Sequence, residues 1–310
     1  MHYSHEGLKL DKKVIELYQR AGKIAQEAMK FGLQLLKPKA KLIDICERIE
    51  KKIRDNGGLP AFPVNISINN VAAHYTSPIN DTNVLRRGML VKLDIGVHVN
   101  GYIADMARST VVGNDKKYRD LIKASQAGLA AAEEVLRDGV SVNQVGKAIE
   151  KAIKSFGYTP VKDLTGHSLE RYQLHAGISV PNVDGGTIFS PKLREGMAVA
   201  IEPFATTGTH GTVYNGPKAY IFSLTNKADR FPQQKEFIYE LKKRFNGLPF
   251  ASRWIRWLKP KKVESILNVL AAGKAVYKYH VLYDHDGGLV SQHENTYIIT
   301  KNGFIKTTET

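Results

Sequence analysis

Leu93-Asp94-Ile95-Gly96-Val97-His98-Val99-Asn100-Gly101-Tyr102-Ile103-Ala104-Asp105 consists of two apolar runs joined by Asn-Gly, with one carboxylate in each. Asn-Gly between alternating apolar residues is a strong hairpin signal, because both turn residues must tolerate φ > 0. With Asn100 and Gly101 as the turn, Val99 faces Tyr102, Gly96 faces Asp105 and Asp94 faces Ala107. Asp94 and Asp105 then share one face as diagonal neighbours, about 7–8 Å apart at Cα, and Gly96 puts no side chain between them. Two cations about 3.5–4 Å apart fit such a gap. The plainer alternative is a pair of solvated carboxylates on an open sheet face. Against it, Val91, Leu93, Ile95, Val97 and Val99 make the opposite face continuously apolar. A core strand carrying acids inward needs partners for them, since carboxylates are almost never buried unpaired.

The 310 residues are enough for a large core, either as one big domain or as a domain with an insertion. A net charge of +15 suggests an anionic partner surface, RNA or membrane headgroups. A single cysteine, Cys46, excludes an intrachain disulfide framework and suits a reducing cytosol; it lies on an apolar helical stripe and is read as core. Met1 to Lys13 is polar, without an apolar signal core, and no apolar run reaches membrane-spanning length. The expectation is a soluble, cytoplasmic protein without a membrane segment, a monomer by default.

Apolar residues at helical spacing predict helices over Asp11–Leu36, Leu42 to about Asn56, Asp115–Leu136 and Val142–Phe156, the last with Ser141 as N-cap. Ile49-Glu50-Lys51, Ile53 and Gly57 recur a hundred residues on as Ile149-Glu150-Lys151, Ile153 and Gly157. Gly88-Met89-Leu90-Val91-Lys92-Leu93-Asp94 has a counterpart in Gly196-Met197-Ala198-Val199-Ala200-Ile201-Glu202, again alternation ending in an acid. Two matches in the same order point to an internal duplication. Residues 217–286 break the pattern. Between Asn215 and Lys262 there are 12 Lys and Arg against 3 acids, with helices predicted over Gln233–Phe245, Ala251–Leu258 and Val263–Leu270. This reads as a compact, basic helical insertion, either a nucleic-acid-reading module of helix-turn-helix type or simply a solvated face. Val290–Thr300 reads as one strand, followed by an Asn302-Gly303 turn.

A binuclear site needs more ligands than two aspartates. His167, Glu202 and Glu294 are the candidates, the two glutamates because acids on core strands need a reason. An oxygen-rich set with one nitrogen suits Mn, Fe, Co or Zn and argues against a thiolate zinc site.

Five segments, in order, resemble the methionine aminopeptidases of type II in their short archaeal form. They are Gly58 to Thr76, the Asp94/Asp105 hairpin, Gly166-His167-Ser168 through Leu174-His175-Ala176-Gly177, Ile201-Glu202-Pro203-Phe204-Ala205-Thr206, and Gln292-His293-Glu294. The resemblance implies an α/β (α+β) pita-bread fold, two pseudo-symmetric halves around a dinuclear centre. It assigns 1–216 and 286–310 to the catalytic domain and 217–285 to a helical insertion subdomain. In that family Asp94 would hold one metal, His167 and Glu202 the other, with Asp105 and Glu294 bridging. Glu202 would also shuttle a proton, His74 and His175 would contact the scissile peptide, and Phe62, Phe204 and Tyr279 would line the methionine pocket. Leu248-Pro249-Phe250-Ala251-Ser252-Arg253-Trp254 matches the family's pocket-facing helix. Two departures, Asn295 where His is usual and Glu170-Arg171 after Gly-His-Ser, bear on the surroundings of the metals.

The implied activity is metal-dependent removal of the initiator methionine from nascent chains, and the +15 charge suggests docking at the ribosome, where nascent N-termini appear. Prolidase and aminopeptidase P share the fold and ligand set but carry a further N-terminal domain, whereas only about ninety residues precede Asp94. A relative without metals that binds RNA or ribosomes is opposed by the complete ligand set.

Overall fold

The computed structural model describes residues 11–113, 116–186 and 190–308. Most of the polar N-terminal stretch, Met1–Leu10, and Asp115, the expected start of the third helix, lie outside them. Helix α1 (Lys12–Leu35) starts at Asp11, whose side chain accepts the Lys13 N–H, and buries Tyr18, Ala21, Ile24, Ala25 and Ala28 along one stripe. Helix α2 (Leu42–Asp55) follows. In the second half α3 (Arg119–Glu133) precedes α4 (Val142–Ser155), which opens with a full capping box between Ser141 and Gln144.

The duplication is present at the level of hydrogen bonds. α2 and α4 each run into a glycine in left-handed conformation, Gly57 (φ 81°) and Gly157 (φ 79°), and then into a two-residue strand, Leu59–Pro60 and Thr159–Pro160. Leu85 N–H donates to Ala40 and Leu193 N–H to Val140. The Arg86 and Arg194 amides each donate to the methionine sulfur three residues on, Met89 and Met197. Independent segments have no reason to reproduce so specific a turn, so the two halves share one local solution.

Each half carries an acid on a central strand. Leu90–Val99 pairs with Tyr102–Val111 over ten residue pairs, in the register expected: Gly96 opposite Asp105, Asp94 opposite Ala107. Asn100 (φ 51°) and Gly101 (φ 91°) supply the turn. Its apolar face, Val91 to Val99, packs with Cys46, Ile49 and Ile53 of α2 in the first core. Ala198–Ile201, which leads into Glu202, lies between Thr165–Leu169 and Asn295–Thr300. The halves meet where Ala107 and Glu294 exchange backbone hydrogen bonds at 3.0 and 3.4 Å.

Two antiparallel strands, Val213–Leu224 and Val276–Asp284, carry the residues between them as an extension. Its helices α5 (Lys235–Phe245) and α6 (Pro260–Ala272) enclose a core of their own around Phe222, Phe237, Leu241, Phe250, Val263 and Leu267. The helix expected over Ala251–Leu258, and the pocket-facing helix expected around Leu248–Trp254, are not formed. Phe250–Ala251 instead pairs with Ile221 and Phe222 as a short strand, and Ser252–Trp254 makes a single 3₁₀ turn. Pro249 cannot donate within a helix, and the Trp254 and Arg253 side chains are drawn away to Glu50, so cross-chain contacts override the local pattern. The single strand expected over Val290–Thr300 is interrupted: Val290–Gln292 belongs to one sheet and Asn295–Thr300 to another. The break lets His293 turn toward Ser125 of α3 (2.9 Å) while Glu294 faces the other way, into the site. No helix among the described residues is long and apolar enough to cross a membrane.

Candidate metal centre and substrate pocket

A cavity of about 210 Å³ opens between the two halves and the extension. All ten residues singled out from the sequence line it: Phe62, His74, Asp94, Asp105, His167, His175, Glu202, Phe204, Tyr279 and Glu294. They come from segments up to 232 residues apart, Phe62 and Glu294.

At the floor of the cavity Asp105, His167 and Glu294 are buried, and one ligand atom from each lies within 4.8 Å of the others. His167 Nε2 stands 3.7 Å from Asp105 Oδ2 and 3.6 Å from Glu202 Oε1. Both distances are too long for good hydrogen bonds. Asp94 Oδ1, Asp105 Oδ1 and His167 Nδ1 are buried and unsatisfied. Burial raises the pKa of Asp94 to about 7. It holds Asp105, Glu202 and Glu294 well above the usual carboxylate range, and repulsion from neighbouring carboxylates, Asp94 among them, adds to the rise in each. Burial, helped by His175, lowers His167 to about 3, so its ring is neutral. Acids that repel one another, with orphaned oxygens and a neutral imidazole, fit a divalent cation in chemistry and in donor type. No thiolate is near: Cys46 is buried in the first core.

Above the floor, burial lowers His74 to about 4. Its Nδ1 lies 3.2 Å from the His280 carbonyl oxygen, and its ring meets Tyr279 edge-on at 5.5 Å. Since a carbonyl only accepts, Nδ1 carries the proton and Nε2 of the neutral ring is an acceptor. His74 adopts φ 66°, a left-handed conformation that a non-glycine residue takes only when its surroundings hold it there. His175 stacks at a tilt on His167, ring centres 4.4 Å apart, and burial lowers its pKa too.

One expectation is corrected. The space over Gly96 is not left free between the aspartates, because the Phe62 ring fills it; a Cβ at Gly96 would run into that ring. Gly96 therefore seats a wall of the pocket.

Several lining or supporting residues were not among the candidate site residues read from the sequence. Gln292 Nε2 donates to Glu294 Oε2 at 3.2 Å and to Glu202 Oε2 at 3.4 Å, joining acids of different strands. Its place two residues before Glu294, inside the Gln292-His293-Glu294 motif, was the only hint. Lys92, on the same strand face as Asp94, is buried with its ammonium on the carbonyls of Asn69 and Val290, and burial lowers its pKa to about 7. Asn295, one of the departures, accepts from Arg108 Nη2 at 2.9 Å and from the Thr308 hydroxyl at 3.1 Å. It braces the start of the strand that follows Glu294.

Two duplicated halves with carboxylates converging at their seam define a pita-bread metallohydrolase. Comparison with known proteins agrees. The chain belongs to metallopeptidase family M24, whose family model matches residues 16–301. It is 44% identical over 295 residues to a methionine aminopeptidase of Thermococcus onnurineus, covering 93% of this chain and 97% of that one. The methionine aminopeptidase of Methanothermobacter thermautotrophicus is 39% identical over 300 residues, covering 96% and 99%. Among solved structures, a thermophilic Arx1 matches with a TM-score of 0.85 at 19% identity, covering 96% of this chain and 91% of that one. Methionine aminopeptidase from Thermotoga maritima matches at 0.71 and 20%, covering 98% and 100%. Prolidase from Pyrococcus furiosus matches at 0.62 and 19%, and the alignment spans 97% of this chain but 65% of the prolidase.

Proposed function

We infer that this chain is a metal-dependent aminopeptidase that removes the N-terminal methionine from nascent proteins and peptides. The observation that carries the reading is the convergence of four acids and one neutral imidazole at the floor of a small, aromatic-walled cavity, with buried oxygens lacking partners. Near-full-length identity to methionine aminopeptidases supports the substrate.

Asp94, Asp105, His167, Glu202 and Glu294 would hold two divalent ions; Mn, Fe, Co and Zn all suit this donor set. Such ions supply a water acidic enough to ionise near neutral pH and polarise the scissile carbonyl. The chain's own residues do the rest. Glu202, whose proton affinity is raised by burial, takes a proton from the attacking water and delivers it to the departing amine. His74, an acceptor at Nε2, receives the N–H of the scissile peptide, while His175 faces the oxygen on which charge develops. Phe62, Phe204 and Tyr279 enclose the methionine side chain, and the small cavity limits what fits beyond it.

Residues 1–216 and 286–310 act as the catalytic domain, and 217–285 as an insertion subdomain. Its excess of Lys and Arg would favour an anionic surface such as the ribosome, where nascent N-termini emerge. A cytoplasmic monomer suits that work.

Chelator-treated protein is assayed on Met-Ala-Ser with each metal added back singly. The expected result is release of methionine alone, lost in Asp105→Ala and Glu294→Ala. Cleavage of Xaa-Pro peptides instead would move the chain to the prolidase branch of the fold.

A further inference from the structure

Glu170 and Arg171, which depart from the family pattern, sit beside Tyr172 in a short loop between His167 and His175. That loop is closed on itself: Glu170 and Gln173 exchange backbone hydrogen bonds, both at 3.0 Å. The Tyr172 N–H donates to the carbonyl of Gly101 at 2.9 Å, and Arg171 Nε donates to the carbonyl of Asn100, also at 2.9 Å. Both acceptors are the two turn residues of the hairpin that carries Asp94 and Asp105. The Tyr172 ring lies against Gly101, where a Cβ would come within 2.5 Å of it, and meets His98 edge-on at 5.5 Å. The Arg171 guanidinium covers the rings of Tyr102 and Tyr172. Tyr172 holds φ 59°, a conformation that costs a non-glycine residue free energy and persists only where contacts enforce it. Beyond it, Ala176 N–H returns to the Ser168 carbonyl at 2.8 Å and Ile178 N–H to the Ser168 hydroxyl at 3.0 Å. His175 thus hangs between two anchors, the root of its own strand at Ser168 and the hairpin turn of the opposite half.

We propose that Tyr172, with Arg171, is a positioning residue: it clamps the loop to the Asn100-Gly101 turn and thereby sets His175 over His167 and the cavity. Tyr172 and Arg171 do not line the cavity, so they act through His175. The ring contact with Gly101 and the Arg171 side chain on Asn100 do most of this, because any residue at 172 would offer its backbone N–H to the Gly101 carbonyl, whereas the ring and the guanidinium are specific to these two side chains. The proposal rests on the role given to His175 above.

The test compares Tyr172→Ala and Tyr172→Phe in the metal-loaded enzyme, alone and with His175→Ala. Amide hydrogen exchange read over residues 98–102 and 168–178 comes first, since it does not depend on what His175 does. Tyr172→Ala is expected to speed exchange in both segments and Tyr172→Phe to restore protection. Unchanged exchange in Tyr172→Ala overturns the clamp. Turnover of Met-Ala-Ser comes second: a displacement on the ångström scale costs about tenfold or more in kcat, with metal content unchanged. Added to His175→Ala, Tyr172→Ala then costs nothing further, and multiplicative losses overturn the positioning role. Full activity in His175→Ala itself defeats the catalytic reading of that histidine, while exchange still decides the clamp.

Discussion

The Thr296 hydroxyl accepts the backbone N–H of Asp105 at 2.8 Å and donates to the Asp105 carbonyl at 2.9 Å. One buried side chain of the second half thus satisfies both backbone groups of a residue on the first. Removing it strands a buried donor and a buried acceptor, at about 1–3 kcal/mol. Thr296→Val, nearly isosteric, is expected to lower the unfolding free energy by that order and to weaken metal binding about tenfold or more. Chemical denaturation and metal titration measure the two effects separately. Unchanged metal affinity would separate Thr296 from the centre.

Metal uptake is expected to release protons. Burial raises Asp94 to about 7 and pushes Asp105, Glu202 and Glu294 well above the usual carboxylate range, so the metal-free cluster holds protons more tightly than exposed acids do, and a cation must displace them. His167, lowered to about 3, contributes none. Affinity therefore rises between pH 6 and pH 8 and falls on acidification. Calorimetry in buffers of different ionisation enthalpy should show protons leaving as the sites fill; a pH-independent affinity contradicts the assignment of these acids as ligands.

Gly96→Ala is expected to push the Phe62 ring from its seat into the cavity proposed to hold the methionine side chain. Overpacking of this kind costs about 1–3 kcal/mol. KM for methionyl peptides should rise, and Phe62→Leu in the same chain should return part of it by making room. A Gly96→Ala enzyme with wild-type KM would show that the ring does not bound the pocket.

Glu50 of α2 and Arg253 of the extension form an ion pair with both side chains buried, and Trp254 Nε1 donates to the second glutamate oxygen at 2.8 Å. Burial still raises the Glu50 pKa, so the pair does not fully offset its desolvation. Breaking it leaves a buried guanidinium without its counter-charge, which costs about 3–5 kcal/mol. Glu50→Ala should destabilise the protein by that order and loosen the extension, whereas Glu50→Leu combined with Arg253→Met should recover most of the loss. Denaturation midpoints of the three proteins decide this.

Much of the candidate site is legible in the chain's local patterns. The hairpin register follows from Asn100-Gly101, because turn chemistry is local and the strand period of two then places every later residue. Glu202 is found through the duplication, as the acid that closes the copied alternation. The Ser141 capping box and the left-handed Gly57 and Gly157 are local in the same way. Where local pattern misleads, at Ala251–Leu258 and within Val290–Thr300, a long-range contact wins: Glu50 claims Arg253 and Trp254, and Ser125 claims His293.

By itself, then, the sequence offered the candidate metal ligands and the strand face that Asp94 and Asp105 share, the latter because it depends on spacing within a few residues. The tertiary structure alone decided that Phe62 rather than empty space lies over Gly96, that Gln292 joins Glu202 to Glu294, that His74 keeps its proton on Nδ1, and that Tyr172 grips the turn at Gly101. Those relations join segments 34 to 206 residues apart, and no propensity or period reaches so far; only close packing of the two halves and the extension around one cavity brings the partners together.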